Sequence, residues 1–190
     1  SEAAIGFASR YCNHAEVRAS DNKLSQQLSM LAKGLNAQYL FVISESDHLL
    51  VNQFRSDLES DLHIFSPQKK QLAFAFDKLK TQKIAETVGL SIPKTYSVDK
   101  MSDVTEIAKK VSFPVVLKWP APNQVYAALG RLDIPFIKAE YPKSSEDLVA
   151  RLKKYEEVGE FPIIQEYCPG IGIGQMFLMH DGDALLEFQH

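Results

Sequence analysis

A chain of 190 residues with 45% apolar side chains can bury a core, as one domain or two small ones, and reads as soluble and globular. Its net charge is −3 and its Lys and Arg residues are scattered, so no field gathers nucleic acid and none is expected as a partner. No apolar run approaches the roughly 20 residues that span a bilayer, and the opening SEAAIGFASRYC lacks the basic flank and apolar length of a signal peptide, so the expectation is a cytoplasmic protein with no membrane partner.

In chain order, AAIGFAS is a short apolar run read as a strand, and Leu24, Leu28 and Leu31 then recur at helical spacing up to Gly34, a natural stop. YLFVIS is a buried-type strand. A helix starting at Ser46 or Asp47 carries Leu50, Phe54 and Leu58 on one face, and LHIF gives a third short strand. The βαβαβ order, with continuous apolar strands, predicts a small parallel sheet covered by helices over residues 1 to about 66. Ser66-Pro67 is a helix start, and the helical stretch from there runs to Gly89 with an interruption near Phe76-Asp77.

Beyond Gly89 the pattern changes. IPKTYSV is extended, a helix capped by Ser102 has Asp103 and Glu106 in its first turn, and FPVVLKW is a strand. A second passage repeats the order: strand PFIKAEY, a helix from Ser144 or Ser145 with Leu148, Leu152 and Tyr155 in register, and strand FPIIQEY. Two β-α-β passages predict a ferredoxin-like split βαβ, a four-stranded antiparallel sheet with two helices on one face. The fold class is therefore α/β, with α+β character in the second unit. PAPNQVYAALGRLDIP, between the passages, has no assigned element.

The three glycines of QEYCPGIGIGQMFLMHDGD do not make a dinucleotide fingerprint, since Gln175 and Phe177 stand where a third glycine would fall and no helix follows. Alternation resumes instead around Asp181-Gly182, a two-residue hairpin turn that predicts Phe177 opposite Leu186 and Met179 opposite Ala184. Cys12 and Cys168 each lack a second cysteine nearby, so zinc spacing and a CxxC pair are both ruled out, while a single disulfide stays open.

Three places have the chemistry to meet a phosphate or a base. Lys118 ends an apolar strand on the face of Val116; such a lysine either reaches into solvent or meets an anion. Lys78 starts a helix, where the dipole disfavours a cation unless an anion is bound nearby; the alternative is a solvated surface lysine. Glu166-Tyr167-Cys168 ends a strand just before Pro169, leaving strand-end backbone groups open to a flat heterocycle such as adenine.

Taken in order, QYLFVISESDHLL, FDKLKTQKIAETVGLSIPKTYSV, FPVVLKW and IIQEYCPGIGIGQMFLMHDGD resemble the ATP-grasp superfamily, in particular its carbamoyl-phosphate-synthase large-chain-like members. The resemblance implies a Rossmann-like pre-ATP-grasp unit over 1–76, a nucleotide-binding subdomain over 77–168 and the first hairpin of a C-terminal subdomain over 169–190. It implies that Lys78 and Lys118 contact ATP phosphates, Lys118 also reaching adenine, and that Glu166, Tyr167 and Cys168 form the hinge holding adenine and ribose. It assigns no catalytic residue here, and the glycines at 170, 172 and 174 become places where a strand passes close to its neighbours. The family's glycine-rich loop after the lysine-ended strand is replaced by WPAPNQVYAALGRLDIP.

Family members activate a carboxylate as an acyl phosphate for capture by an amine or similar nucleophile, using ATP and Mg2+. The resemblance implies that the first strand and the half supplying the metal ligands lie outside this chain, which reads as an inactive fragment. The partners expected are ATP and an unidentified carboxylate. LLEFQH leaves a sheet edge open to pairing, so a homo-oligomer is also an expectation. A non-catalytic adenine-nucleotide-binding module is the competing reading, and an NAD-linked oxidoreductase is weakest because no glycine fingerprint opens a helix.

Overall fold

Leu24, Leu28 and Leu31 recur at helical spacing because they line one side of α1 (Leu24–Leu35), in a computed structural model that describes residues 4–189. The helix runs past Gly34 and stops at Asn36, whose short amide side chain tolerates the left-handed backbone at φ 52°. The chain divides after Leu90 into two compact units.

In the first unit, β1 (Tyr39–Phe41) and β2 (His63–Phe65) pair in parallel, Tyr39 opposite His63. Among the described residues the predicted first strand does not form: Ile5–Ala8 make a single 3-10 turn, closed by Phe7 N–H on Ala4 O and Ser9 N–H on Gly6 O, and Ala3 lies outside the described residues. So short an apolar run has no period by which to separate strand from turn, and Ile5 stays 94% exposed. α2 (Glu45–Val51) is capped by Ser44, whose Oγ accepts the Asp47 N–H at 3.1 Å, rather than by Ser46 or Asp47. The predicted continuous helix breaks around Phe54 and restarts as α3 (Arg55–Leu58), with Leu58 buried. α4 (Lys69–Ala75) and α5 (Lys78–Thr87) follow, separated at Phe76-Asp77 as expected.

The second unit is built on β3 (Thr95–Tyr96), β4 (Val115–Lys118) and β5 (Ile163–Glu166), in the order β3-β5-β4 with every pair antiparallel. β5 therefore splits the β3-to-β4 passage, as a split βαβ requires. The predicted strand PFIKAEY shrinks to one bridge on the far edge of β4, where Leu117 and Glu140 exchange hydrogen bonds of 2.8 and 3.1 Å. Pro135 and Pro142 flank that bridge and have no N–H to extend a ladder.

α6 (Met101–Ala108) begins one residue before the predicted cap Ser102, and the Asp103 carboxylate accepts the N–H groups of Asp99 and Lys100 at 3.2 and 3.1 Å. The segment without an assignment forms α7 (Pro122–Arg131), with Pro122 in the first turn, where its missing N–H has no helical partner to lose. α8 (Ser145–Lys153) is capped by Ser144, whose Oγ accepts the Asp147 N–H. Val104, Ile107, Val125, Leu129, Leu148, Leu152 and Tyr155 close over Val115, Leu117, Trp119 and Ile164, so three helices rather than two contribute to the core.

β6 (Gln175–His180) and β7 (Asp183–Gln189) form the expected hairpin, turning through Asp181 and Gly182 at φ 49° and 93°. Met179 faces Ala184 as predicted, but Phe177 faces Glu187 and Leu186 faces Leu178. Leu185 is an extra residue in β7, a bulge that shifts the register by one. The close-approach reading of the glycines fails for Gly170 and Gly172, where an added Cβ would meet no atom within 4 Å; Gly170 instead adopts φ 151°, which side-chain-bearing residues rarely take.

Candidate nucleotide site

β4 and β5 set the geometry. In their register Val116 lies opposite Gln165 and Lys118 opposite Ile163, while Val115 lies opposite Glu166. By the two-residue alternation, Lys118, Val116 and Gln165 share one face of the sheet, and Leu117 and Ile164 share the other with the helical core. Lys118 and Glu166 thus stand at opposite ends of the ladder and on opposite faces.

The Lys118 side chain leans along the strand and narrows that separation. Its Nζ donates to Gln165 Oε1 at 3.3 Å, next to Glu166 in sequence. Gln165 is 6% exposed, yet both ends of its amide are engaged: Nε2 donates to Thr95 Oγ1 at 3.0 Å, and Thr95 Oγ1 donates to the Pro93 carbonyl at 2.9 Å. Glu166 is fastened to the same stretch, its N–H donating to Lys94 O at 2.8 Å while its Oε2 accepts the Lys94 N–H at 3.3 Å.

After Glu166 the ladder ends. Among the described residues the backbone groups of Tyr167 and Cys168 have no hydrogen-bond partner, so both N–H and C=O stay open to a ligand. The Tyr167 ring meets Tyr141 edge-on at 6.1 Å, and Cys168 is exposed. Cys12 and Cys168 are both free thiols, so the disulfide left open by the sequence is not formed.

Lys78 belongs to the first unit. It is the first residue of α5, where Asp77 supplies the negative charge that the helix end favours: its Oδ1 accepts the N–H groups of Leu79 and Lys80 at 3.0 and 3.2 Å. Gln165, Thr95 and Lys94 are the residues that sequence reasoning passed over. A polar side chain inside the apolar run FPIIQEY was the available signal, because a buried amide needs partners.

No protein-family model matches the sequence, and no curated protein matches it. Solved structures do. The biotin carboxylase domain of Hydrogenobacter thermophilus 2-oxoglutarate carboxylase, seen as a dimer with MgADP, ADP and bicarbonate, aligns over 80% of this chain and 33% of its own, with a TM-score of 0.55 and 15% identity. D-alanine–D-alanine ligase from Bacillus anthracis, complexed with ATP, aligns over 86% of this chain and 56% of its own, with a TM-score of 0.53 and 15% identity. Carboxyaminoimidazole ribonucleotide synthase from Aspergillus clavatus, complexed with ATP, covers 82% and 37%, with a TM-score of 0.51 and 12% identity.

The chain therefore has an α/β fold, that of the ATP-grasp proteins, over part of its extent. It spans between a third and just over half of the length of these similar chains. No described helix is long and apolar enough to cross a membrane.

Proposed function

We propose that this chain is the ATP-holding portion of an ATP-grasp ligase that activates a carboxylate as an acyl phosphate for attack by an amine or similar nucleophile. The observation that carries the reading is the Lys118 ammonium, bonded to Gln165 two residues before the open backbone of Tyr167 and Cys168. A cation beside unpaired strand-end donors and acceptors suits a nucleotide, phosphates at one end and base at the other. In this reading Lys118 and Lys78 meet phosphates, and the Glu166–Cys168 segment forms the hinge against adenine. Residues 1–76, 77–168 and 169–190 serve as pre-ATP-grasp unit, nucleotide-binding subdomain and first hairpin of the next subdomain.

The whole enzyme is cytoplasmic and carbamoyl-phosphate-synthase-like in this proposal, and self-association through the exposed hairpin edge is part of it. Mg2+ offsets charge on the transferred phosphoryl group in such chemistry. Among the described residues no group of three or more His, Cys, Asp or Glu is arranged to hold a metal ion, so no residue here is assigned to it.

Calorimetric titration of ATP, with and without Mg2+, tests the reading in the wild type, Lys118→Ala and Lys153→Ala, the last an exposed lysine of α8. A contact to a charged group contributes about 1.5–3 kcal/mol, so Lys118→Ala should weaken binding roughly 10- to 100-fold while Lys153→Ala leaves it unchanged. Binding indifferent to Lys118→Ala would move the site elsewhere. An assay for ADP release accompanies the titration. Binding without release is the expected result, and release by this chain would show that it carries chemistry as well as the nucleotide.

A further inference from the structure

The segment Ile92-Pro93-Lys94-Thr95 lies far in sequence from Lys118, yet three hydrogen bonds lead from it to that ammonium, and their directions are fixed one after another. The Pro93 carbonyl can only accept, so the single Thr95 hydroxyl proton goes to it, at 2.9 Å. That leaves Thr95 Oγ1 only lone pairs for its second partner, so Gln165 must turn its NH2 toward it, at 3.0 Å. The amide is thereby oriented, and its oxygen must face Lys118 Nζ, at 3.3 Å.

We propose that Gln165 is the positioning residue of the nucleotide site: oriented by Thr95 and the Pro93 carbonyl, it holds the Lys118 ammonium along the sheet with a neutral acceptor, leaving that positive charge uncompensated for the phosphates of the ligand. This rests on the ATP-binding reading above. The choice of an amide decides the electrostatics. A carboxylate at the same position would pair with the ammonium and spend its field before an anion arrived, whereas an amide oxygen fixes its place without cancelling it. Lys118 keeps two further N–H donors for the ligand, since an ammonium has three and Gln165 takes one.

The test measures ATP and adenosine affinities by calorimetry for the wild type, Gln165→Glu, Gln165→Met, Lys118→Ala and the double variant Gln165→Glu/Lys118→Ala, with thermal midpoints as the check on folding. Gln165→Glu should weaken ATP about tenfold, the scale of one charged contact, and weaken adenosine much less, because adenosine has no phosphate to feel the lost charge. Gln165→Met, which keeps the length but removes the acceptor, should weaken ATP by about threefold, again with a smaller effect on adenosine. In the Lys118→Ala background Gln165→Glu should add little, since both changes act on one ammonium. A Gln165→Glu effect as large in that background, or equal losses of ATP and adenosine, would overturn the positioning role. ATP binding that neither Gln165 variant alters would overturn it too, while leaving the nucleotide site in place. No ATP binding by the wild type would instead bring down the nucleotide reading, and this inference with it.

Discussion

Glu140 lies 6% exposed at the edge of the second sheet, with its carboxylate surrounded by donors: Tyr155 Oη at 2.7 Å, Lys154 Nζ at 3.0 Å and Arg151 Nη1 at 3.2 Å. Burial pushes the carboxyl up, but the bonds from Tyr155, Lys154 and Arg151 outweigh it and hold the net value below the ordinary carboxylate range. Burial, and then the bond to Glu140, pushes the Tyr155 phenol up. A carboxyl depressed in the folded state contributes stability that is present above its unfolded value of about 4.3 and is lost as pH falls through the folded one. Glu140→Gln should therefore be less stable than wild type at pH 7, by about 1–3 kcal/mol, and the gap in urea midpoints should narrow as the pH is lowered toward 3. A gap independent of pH would mean that the charge of Glu140 contributes nothing. Tyr155→Phe removes one donor from the same buried oxygen and should cost about 1–2 kcal/mol, read from the same urea curves.

Sequence reading reaches Lys118 at this scale because a lysine ending an apolar strand stands out locally. It does not reach Gln165 as a partner. The two are 47 positions apart, and Gln165 and Thr95 are 70 apart, so only the strand order brings them together.

The elements divide by how local their causes are. α8 is legible because Ser144 caps it and Leu148 and Leu152 mark its buried face. α7 has comparable local signs, Pro122 in its first turn and Val125 and Leu129 one helical turn apart, but with Gly130 and the flanking prolines the stretch has no assignment from sequence. Leu129 is 1% exposed within the core cluster, so Leu129→Ala should destabilise the second unit by about 2–5 kcal/mol in chemical unfolding. A loss under about 0.5 kcal/mol, the range of surface substitutions, would show that α7 is not docked. Alternation identifies the hairpin and its turn from sequence, whereas the extra Leu185 is invisible to a count by twos. Cross-strand nuclear Overhauser contacts should join Leu178 with Leu186; contacts of Phe177 with Leu186 would restore the unbulged register.

For the molecule as a whole, the division after Leu90 follows a change of pattern that the sequence already carries, from continuous parallel-type strands to antiparallel passages. Residues 91–190 expressed alone should keep a cooperative unfolding transition by circular dichroism, because their core cluster draws on no residue before Tyr96. The hairpin within that unit is of another kind. Every residue of β6 and β7 is exposed, and Met176, Phe177, Leu178 and Met179 follow one another, so both sides of the ribbon are apolar and neither is covered by the core cluster. A two-stranded ribbon has little to hold it but its own ladder. In hydrogen–deuterium exchange, its ladder amides should open locally and exchange at close to the rate of an unstructured chain, while those of Ile163 and Ile164, at the centre of the sheet, wait for the unit to open as a whole. Equal protection of the two would mean that the ribbon is clamped in solution by something besides its own backbone bonds.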